Sequence, residues 1–490
     1  MSSAFFRKLL AIGMFGLAGA SLMGAPAATN ERPNIVFILA DDLAWNDLGC
    51  TGGRLWDTPN LDRLAAQSMR FTDAYAPAPI CSASRAALLT GRSPARLHLE
   101  FVTKGKGVTV NASGLPLRPP PFTELSLSET TYAAVLDRAG IRTGFFGKWH
   151  VAEHYRRYLG WSPTRGPRQF GFEDATEDFG GHTYGVLANA PVEGPTNVPS
   201  GKFPDDSMTD KAIAFLEANR ALPFCLTISH FFVHEPVKAP ARWLFEKYQR
   251  RFGDGNTQHA AYGAFVETLD HHIGRVLDAL DRLNLSRNTV VVFTSDNGGA
   301  PGYAALAPLR GCKWSLYEAG VRVPLMVRWP GVVRPGSRCD VPVIGTDLFP
   351  TFAEIAQADV DPGITLDGQS LLPLLRGQPA SHFADRDMIW HFPYYTPEPP
   401  KRGVRRSVGI NPPPDTLFKP ASAIRHGDRV LVHDYETDRD ELYDLTADPG
   451  EQHDVAATHP EEAQMLRGRL MNYLHAVQAR LPEPNPEEQR

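Results

Sequence analysis

The sequence predicts an α/β fold, with a large mixed, mostly parallel sheet sandwiched by helices and a smaller C-terminal α+β subdomain. Short apolar runs rich in β-branched residues, at 34–40, 224–229 and 289–294, are typical of strands covered on both faces. Helical patterns separate these runs, as in a βαβ chain. After residues 363–373 the pattern changes to alternating strands and a closing helix, which indicates the second unit.

The first predicted strand, Asn34–Ala40, ends in Asp41-Asp42. In open α/β sheets ligands bind beyond the carboxyl ends of the strands, so these adjacent carboxylates are a candidate site for a hard cation. A lone Asp pair is more commonly a solvated loop or a helix cap, and that interpretation stays open. An amphipathic helix follows, beginning at Thr58-Pro59 and ending before Phe71.

Cys81 is predicted to lie at or just before the N-terminus of a helix. Pro77 and Pro79 disfavour helix before it, whereas residues 82–89 are rich in Ala, Leu and Arg, which favour helix. Free N–H groups and the helix dipole at this end attract negative charge, and Arg85 directs its guanidinium back toward them. The segment is therefore a candidate anion site with a nucleophile in it. The alternative is a cysteine packed as a small hydrophobic residue.

Two further strand ends are expected to carry polar residues. A helix at 132–139 and a strand at 142–146 lead to Gly147-Lys148-Trp149-His150. The strand at 224–229 leads to the segment 230–236, which contains His234. Taken singly, each histidine is more often an ordinary strand-end residue.

The middle of the chain contains irregular and helical segments. Residues 155–205 are rich in Gly and Pro and are expected to form long loops near the site. Asp210 is expected to cap a helix through Asn219, and residues 259–283 predict a long amphipathic helix.

The third buried strand ends in Ser295-Asp296-Asn297, and a Gly-containing turn then carries Lys313. A further strand is expected at 323–329. In the C-terminal unit, segments at 422–425, 429–435 and 441–445 alternate like antiparallel strands, and 461–481 predicts the closing helix. A Pro-rich insertion at 393–420 contains Lys401, Arg402, Arg405 and Arg406, and it is either a loop over the pocket or a solvated loop.

Composition narrows the class of protein. The 490 residues carry 50 Lys and Arg against 55 Asp and Glu, a net charge of −5, so no nucleic-acid partner is expected.

The N-terminus predicts a signal peptide at 1–27 and therefore an exported, periplasmic or secreted protein. The pattern consists of Arg7 and Lys8, an apolar run at 9–23 and the small residues of Ala25-Pro26-Ala27. The run is shorter than the ~20 residues of a membrane span, and no later stretch qualifies. The 5 cysteines leave at least one unpaired; pairing of the others and the oligomeric state stay open.

Cys81-Ser82-Ala83-Ser84-Arg85, followed by Leu89-Thr90-Gly91-Arg92, resembles the modification signature of the type I sulfatases in the alkaline-phosphatase superfamily. Most relatives have proline where this chain has Ala83. The resemblance extends over five blocks in the family's order and includes Leu442–Leu445 and Asp448–Glu451. It implies an alkaline-phosphatase-like catalytic domain at 32–375 and a C-terminal subdomain at 376–485.

The resemblance implies hydrolysis of sulfate esters, expected on sulfated sugars or glycans, by a chain whose Cys81 a maturation enzyme converts to formylglycine. Oxygen ligands suit Ca²⁺, and less often Mg²⁺. The implied metal ligands are Asp41, Asp42, Cys81, Asp296 and Asn297. The implied catalytic residues are Cys81, Arg85, Lys148, His150, His234 and Lys313.

In the reaction that the resemblance implies, the formylglycine gem-diol attacks sulfur and a covalent sulfo-enzyme intermediate forms. Arg85 and Lys148 hold the nucleophile as an oxyanion. His234, with Lys313, protonates and stabilises the departing alkoxide. His150 then takes a proton from the second hydroxyl, and sulfate leaves.

Three other functions are compatible with parts of the pattern. A phosphodiester or phosphonate monoester hydrolase of the same superfamily would share the fold and even the formylglycine. A calcium-stabilised binding protein would lose the nucleophile or its cations, which are all present here. A cysteine hydrolase with a Cys81 thiolate would not need the acidic residues. The sequence does not specify the sulfated sugar, the position of its sulfate, or exo or endo action.

Overall fold

A computed structural model of the chain describes residues 32–110, 112, 115–185, 196–379, 381–395 and 418–486. The predicted signal peptide at 1–27 and the cationic part of the 393–420 insertion lie outside the described residues. Residues from Arg32 onward form one compact unit. The domain boundary at 375/376 therefore remains a prediction.

The strands of the structure include the runs that the sequence predicts and several shorter ones. In chain order they are β1 Asn34–Ala40, β2 Met69–Phe71, β3 Ala74–Tyr75, β4 Leu117–Arg118, β5 Arg142–Gly147, β6 Asp174–Thr176, β7 Phe224–Ser229, β8 Thr289–Ser295, β9 Leu325–Arg328, β10 Arg338–Cys339, β11 Val343–Ile344, β12 Asp387–Phe392, β13 Ala421–His426, β14 Arg429–Asp434, β15 Arg439–Asp444 and β16 Glu483–Pro484.

The α-helices vary from single turns to a helix of 26 residues. They are α1 Pro59–Ala66, α2 Cys81–Thr90, α3 Pro94–Leu97, α4 Tyr132–Arg138, α5 Ser207–Ala218, α6 Arg242–Phe252, α7 Thr257–Arg282, α8 Glu318–Val321, α9 Leu348–Ile355, α10 Leu372–Leu375, α11 Ser381–Ala384 and α12 Pro460–Ala476. None of the described helices is both long and apolar enough to cross a membrane.

Within the described chain, the main sheet has eight strands in the order β10-β2-β9-β8-β1-β7-β5-β6. Strands β8, β1, β7, β5 and β6 run parallel, and β9 is antiparallel to both of its neighbours. The predicted mixed, mostly parallel sheet is confirmed. At the centre, Ile38 of β1 lies opposite Ile228 on one side and Phe293 on the other.

Helices cover both faces of this sheet, because successive side chains of a strand point to opposite faces. Ile35, Phe37 and Leu39 of β1 pack in a core with residues of α2, α4 and α9. Val36 and Ile38 pack in a second core with residues of α1, α5 and α7. All seven residues of β1 are buried, as the continuous apolar run predicts.

The C-terminal unit contains an antiparallel sheet of the order β12-β13-β14-β15. Its residues Ile424, Leu431 and Leu442 pack against Leu466 and Leu470 of α12. The expected antiparallel strands and closing helix are confirmed. The edge strand β12 was not predicted, since it directly precedes the Pro-rich insertion.

Two local predictions were wrong. Asp206, and not Asp210, caps α5, because the Asp206 side chain accepts the Thr209 N–H at 2.8 Å. Asp210 lies within the first turn. In the predicted loop region 155–205, residues 174–176 form the edge strand β6, whose three residues are too few to show a period.

The parallel strands place the polar residues of four strand ends at one edge of the sheet. Asp41 follows β1, Lys148 follows β5, His234 comes after β7, and Asp296 follows β8. These strands are neighbours in the order β8-β1-β7-β5. At the end of β5, Gly147 has φ of +108°, and a Cβ there would lie 1.9 Å from the Ser229 carbonyl oxygen, so only glycine fits this close approach.

Candidate active site

The first residue of α2, Cys81, is buried at the centre of this edge. Ile80 before it is extended and provides no side-chain cap. The Cys81 Sγ lies 3.5 Å from Asp41 Oδ1 and 3.8 Å from Asp42 Oδ1. The predicted helix-start position is confirmed, and it brings the sulfur between the two carboxylates.

Arg85 lies one turn further along α2 and joins three strand ends. Its Nε donates to Asp296 Oδ2 at 2.8 Å, and its Nη1 donates to the Lys148 carbonyl at 2.8 Å and to Ser229 Oγ at 2.5 Å. Its Nη2 is buried without a hydrogen-bond partner, 3.7 Å from Asp41 Oδ1. One arm of the guanidinium therefore remains available to an anion at residue 81.

Two buried lysines pair with the two carboxylates that follow β1. Lys148 Nζ lies 2.6 Å from Asp41 Oδ2, and Lys313 Nζ lies 2.7 Å from Asp42 Oδ2. Burial alone would lower the pKa of both lysines, but the attraction of Asp41 and Asp42, respectively, raises it. Both are therefore fixed positive charges on the floor of the site.

The residues that follow β8 complete the acidic group. Asp296 Oδ1 accepts the Asp42 N–H at 3.2 Å, and Asn297 Nδ2 donates to Asp42 Oδ1 at 2.8 Å. Burial raises the pKa of Asp296 to about 6, against the opposing effect of Arg85. Burial also opposes ionisation of Asp42, yet Lys313 and His234 bring the pKa of Asp42 well below its usual value.

A metal ion fits this group of residues. One ligand atom from each of Asp41, Asp42, Cys81 and His234 lies within 4.8 Å of the others. Asn297 Oδ1 is buried and has no hydrogen-bond partner, so this amide oxygen is free to bind a cation. The geometric cluster includes His234, which was not among the predicted ligands, and Asp296 adjoins the cluster through Asp42.

The two predicted histidines lie on either side of the buried charges. His150 follows Lys148 with φ of +54°, and its Nδ1 is buried without a partner. The pKa of His150 is well below its usual value, mainly because the ring is buried and secondly because Lys148 is positively charged. His234 Nε2 lies 3.6 Å from Asp42 Oδ2, and burial together with Lys313 lowers its pKa to about 3.

Sequence reasoning missed the contacts around His234. Tyr184 Oη lies 2.7 Å from His234 Nδ1, and the Glu235 carbonyl oxygen lies 2.6 Å from the same atom. Because a carbonyl oxygen only accepts, Nδ1 carries a proton and Nε2 is the nitrogen that faces Asp42. Tyr184 lies in a single turn of 3₁₀ helix, Thr183–Gly185, which is too short to show a period, so no local pattern could have identified it.

The buried thiol does not suit a cysteine hydrolase. Burial raises the pKa of Cys81 far above its usual value, and the nearby lysines do not offset this effect. The thiolate is therefore disfavoured despite the helix N-terminus. All five cysteines of the chain are free thiols in the structure, so no disulfide involves Cys81.

The mostly parallel sheet covered by helices, with Cys81 buried among paired carboxylates and lysines at one edge, fits the alkaline-phosphatase superfamily. The sequence model of the family described as Sulfatase matches residues 33–358. A second model, described as N-sulphoglucosamine sulphohydrolase, C-terminal, matches residues 312–480. The chain belongs to the sulfatase family and is a sulfuric ester hydrolase.

Known proteins resemble the chain over most of its length. Arylsulfatase A of Homo sapiens is 35% identical, over 91% of this chain and 88% of its own. A crystal structure of Ps i-CgsB in complex with k-i-k-neocarrahexaose has a TM-score of 0.71 and 25% identity, covering 91% of this chain and 93% of its own. A phosphonate monoester hydrolase of Agrobacterium radiobacter, with a TM-score of 0.64, 21% identity, and coverage of 91% and 96%, shares the fold.

Proposed function

We propose that this sulfatase hydrolyses sulfate esters of sugars or glycans at the Cys81 site, after conversion of Cys81 to formylglycine. The observation that carries the proposal is the buried start of α2, where residue 81 lies beside Asp41 and Asp42 and Arg85 retains an unpartnered Nη2. The likeness to a structure in complex with neocarrahexaose supports a glycan as substrate.

Ca²⁺, with Mg²⁺ as second choice, would be held by Asp41, Asp42, residue 81, Asp296 and Asn297. Formylglycine at residue 81 would supply a gem-diol nucleophile, and the bound cation would neutralise developing negative charge. All the protein donors except residue 81 are carboxylate or amide oxygens, as these hard cations prefer.

Arg85 and Lys148 would stabilise the nucleophile as an oxyanion. Both are buried, and preorganised cations in a site that excludes water contribute several kcal/mol to barrier lowering. Ser229 and the Lys148 carbonyl hold the Arg85 guanidinium in place through Nη1. A lysine or a flexible arginine without these contacts would lose this orientation.

His234 and Lys313 would act on the leaving group. The Glu235 carbonyl keeps one proton on Nδ1 of His234. The ring would therefore have to take up a second proton on Nε2, as imidazolium beside the bound anionic ester. Nε2 would then deliver that proton to the departing oxygen, and the ring would return to its neutral form. Lys313 Nζ, bound to Asp42, lies on the same side and would stabilise the alkoxide. His150, with Nδ1 unpartnered, would accept the proton that accompanies release of sulfate.

The proposal is tested by making the chain in two hosts, with and without a formylglycine-generating maturation enzyme. The peptide containing residue 81 should show loss of H₂S and gain of O only with the enzyme, and 4-nitrophenyl sulfate turnover should follow this conversion. Bis(4-nitrophenyl) phosphate and phenyl phosphonate monoesters serve as comparison substrates. A fully active preparation with unmodified Cys81 would overturn the formylglycine mechanism, and faster turnover of phosphonate than of sulfate would favour the alternative hydrolase.

The predicted signal peptide leads us to infer export, with folding completed in the periplasm or outside the cell. Edman sequencing of the exported protein should begin just after residue 27. Retention of the Leu9–Met23 run in the exported protein would contradict that cleavage site.

A further inference from the structure

His182 is a buried histidine outside the proposed catalytic residues, and it bonds the main chain of His234. Its Nδ1 accepts the Tyr184 N–H at 3.2 Å, and a main-chain N–H can only donate. The ring proton is therefore on Nε2, which donates to the His234 carbonyl oxygen at 3.0 Å. Burial lowers the pKa of His182 to about 3, so the ring is neutral and keeps this arrangement near neutral pH.

The ring of His182 is held by packing as well as by its two hydrogen bonds. Its centroid lies 5.8 Å from the ring of Phe231, 5.4 Å from that of Phe232 and 5.3 Å from that of Phe265. Because both nitrogens are bonded and the ring is surrounded by other rings, its position is fixed by the fold.

The turn that carries His182 is anchored on both sides. Before it, Asp206 Oδ2 accepts the Gly181 N–H at 3.2 Å, and the same side chain caps α5. After it, Thr183 Oγ1 donates to the Pro236 carbonyl oxygen at 2.8 Å. The turn therefore ties the segment that follows β7 to the start of α5.

We propose that His182 is a positioning residue for the acid step, because it fixes the main-chain carbonyl of His234 and thereby the place of the His234 ring. This role rests on the proposed function, in which His234 protonates the departing oxygen. The His234 N–H donates to the Phe231 carbonyl at 3.0 Å, so with His182 both main-chain polar groups of His234 are bonded. A general acid acts only within hydrogen-bond reach of its target, so a small displacement of the ring lowers its effect.

His182 and Tyr184 act on different parts of His234. The Tyr184 hydroxyl contacts the His234 ring at Nδ1, whereas His182 Nε2 contacts the main chain. A substitution of His182 can therefore remove the main-chain bond and leave the Tyr184 side chain in the protein.

The test compares two substitutions that keep different halves of the hydrogen bonding of His182. In His182→Gln the side-chain amide reaches as far as the imidazole Nε2, and its nitrogen can still donate to the His234 carbonyl. In His182→Asn the side-chain amide reaches only as far as Nδ1. Its oxygen can still accept the Tyr184 N–H, but the donor to His234 is lost.

Turnover is measured with the full-length, formylglycine-containing enzyme on 4-nitrophenyl, phenyl and glucose 6-sulfate, whose leaving oxygens increase in basicity in that order. In His182→Asn, kcat should fall about tenfold for glucose 6-sulfate and less than about twofold for 4-nitrophenyl sulfate, with phenyl sulfate between them. His182→Gln should stay within about twofold of the wild type on all three. Partial unfolding of a variant cancels in the ratio of two esters, because both are assayed on one preparation.

His391→Gln is the matched control, because His391 is also buried and both of its ring nitrogens are bonded. Nδ1 lies 2.6 Å from Ser422 Oγ, and Nε2 lies 3.1 Å from the Arg480 carbonyl oxygen, in the C-terminal unit. This substitution should lower the melting temperature without changing the ratio of glucose 6-sulfate to 4-nitrophenyl sulfate turnover. Tyr155→Phe is a surface control, since that ring is 37% exposed and lies against Arg156.

An unchanged ratio in His182→Asn, or equal losses of the ratio in the Asn and Gln variants, would overturn the positioning role and leave the sulfatase function intact. If the Asn variant does not fold, the Gln variant decides, because a lowered ratio despite the retained donor would overturn the role and a preserved ratio would support it. Equal losses on all three esters in His234→Ala would instead overturn the acid role of His234 in the proposed function.

Discussion

The protein contains two buried clusters of charged residues that differ in how completely their atoms are paired. The site cluster comprises the carboxylates and cations around Cys81. The junction cluster comprises Tyr75, Glu318, Arg322 and Arg425, and it joins β13 of the C-terminal unit to the segments around β3 and α8. Tyr75 Oη donates to Glu318 at 2.9 Å, and Arg322 Nη1 donates to Glu318 Oε2 at 3.0 Å.

The two clusters differ in whether their buried side-chain nitrogen and oxygen atoms all have hydrogen-bond partners. No buried side-chain nitrogen or oxygen of the four junction residues lacks a hydrogen-bond partner. In the site cluster, Arg85 Nη2, His150 Nδ1 and Asn297 Oδ1 all lack one. An unpaired buried polar group costs about 1–3 kcal/mol. The three unpartnered atoms of the site cluster therefore suit ligand binding, whereas the fully paired junction cluster suits a structural role.

The largest expected effect comes from removing a carboxylate of the site cluster. Asp296→Ala should lower sulfatase activity about 1,000-fold or more, because it removes a proposed metal ligand and the partner of Arg85 Nε. The wild-type melting temperature should fall on addition of a chelator, and the variant's should not respond. Bound calcium is measured by elemental analysis.

Asp278→Ala is the control for Asp296→Ala, since it removes an exposed carboxylate paired with Arg63. Unchanged calcium content in Asp296→Ala would show that the site cluster does not hold the metal.

The second prediction separates the proton donor from the other site residues. His234→Ala should lower turnover of sugar alkyl sulfates by about 100- to 10,000-fold. It should lower turnover of 4-nitrophenyl sulfate less than about tenfold, because that phenolate departs without a proton. Arg85→Ala should affect both esters alike, and equal losses in His234→Ala would move the acid role to His150.

The third prediction concerns the junction cluster. Glu318→Gln should destabilise the protein by about 3 kcal/mol, because Arg322 loses its buried carboxylate partner and Arg425 loses a nearby negative charge. Activity at 25 °C should change little. Chemical denaturation measures the first effect, and Glu217→Gln, which removes an exposed partner of Arg282, is the control. A large loss of activity without a loss of stability would contradict the division of roles between the clusters.

The smallest effect is expected at Tyr184, which touches His234 without reaching the charges below it. Tyr184→Phe removes one of two oxygens around Nδ1 and should lower kcat for alkyl sulfates about fivefold, as expected for one hydrogen bond. The 4-nitrophenyl ester should be affected less, which a general structural defect would not produce. Tyr155→Phe is the control, and equal losses on both esters would exclude a positioning role.

The sequence by itself determined the central strands of the sheet and the edge at which most of the candidate site residues lie. Apolar runs and helical periods have short-range signatures, so β1, β7, β8 and α7 were predicted nearly to the residue. Parallel strands then bring their carboxyl ends to one edge, which is why Asp41, Lys148 and Asp296 could be expected together despite their separation in the chain. The role of each residue came from the family resemblance.

Only the tertiary structure decided which side chains touch within that edge. The contacts of Ser229 with Arg85, of Tyr184 with His234 and of Arg425 with Tyr75 join residues 144, 50 and 350 positions apart, respectively. The region 155–185 contains only short elements and no repeating pattern, so nothing in its composition tells which tyrosine faces the site. Its conformation depends on packing against elements distant in sequence, and that packing exists only in the folded chain.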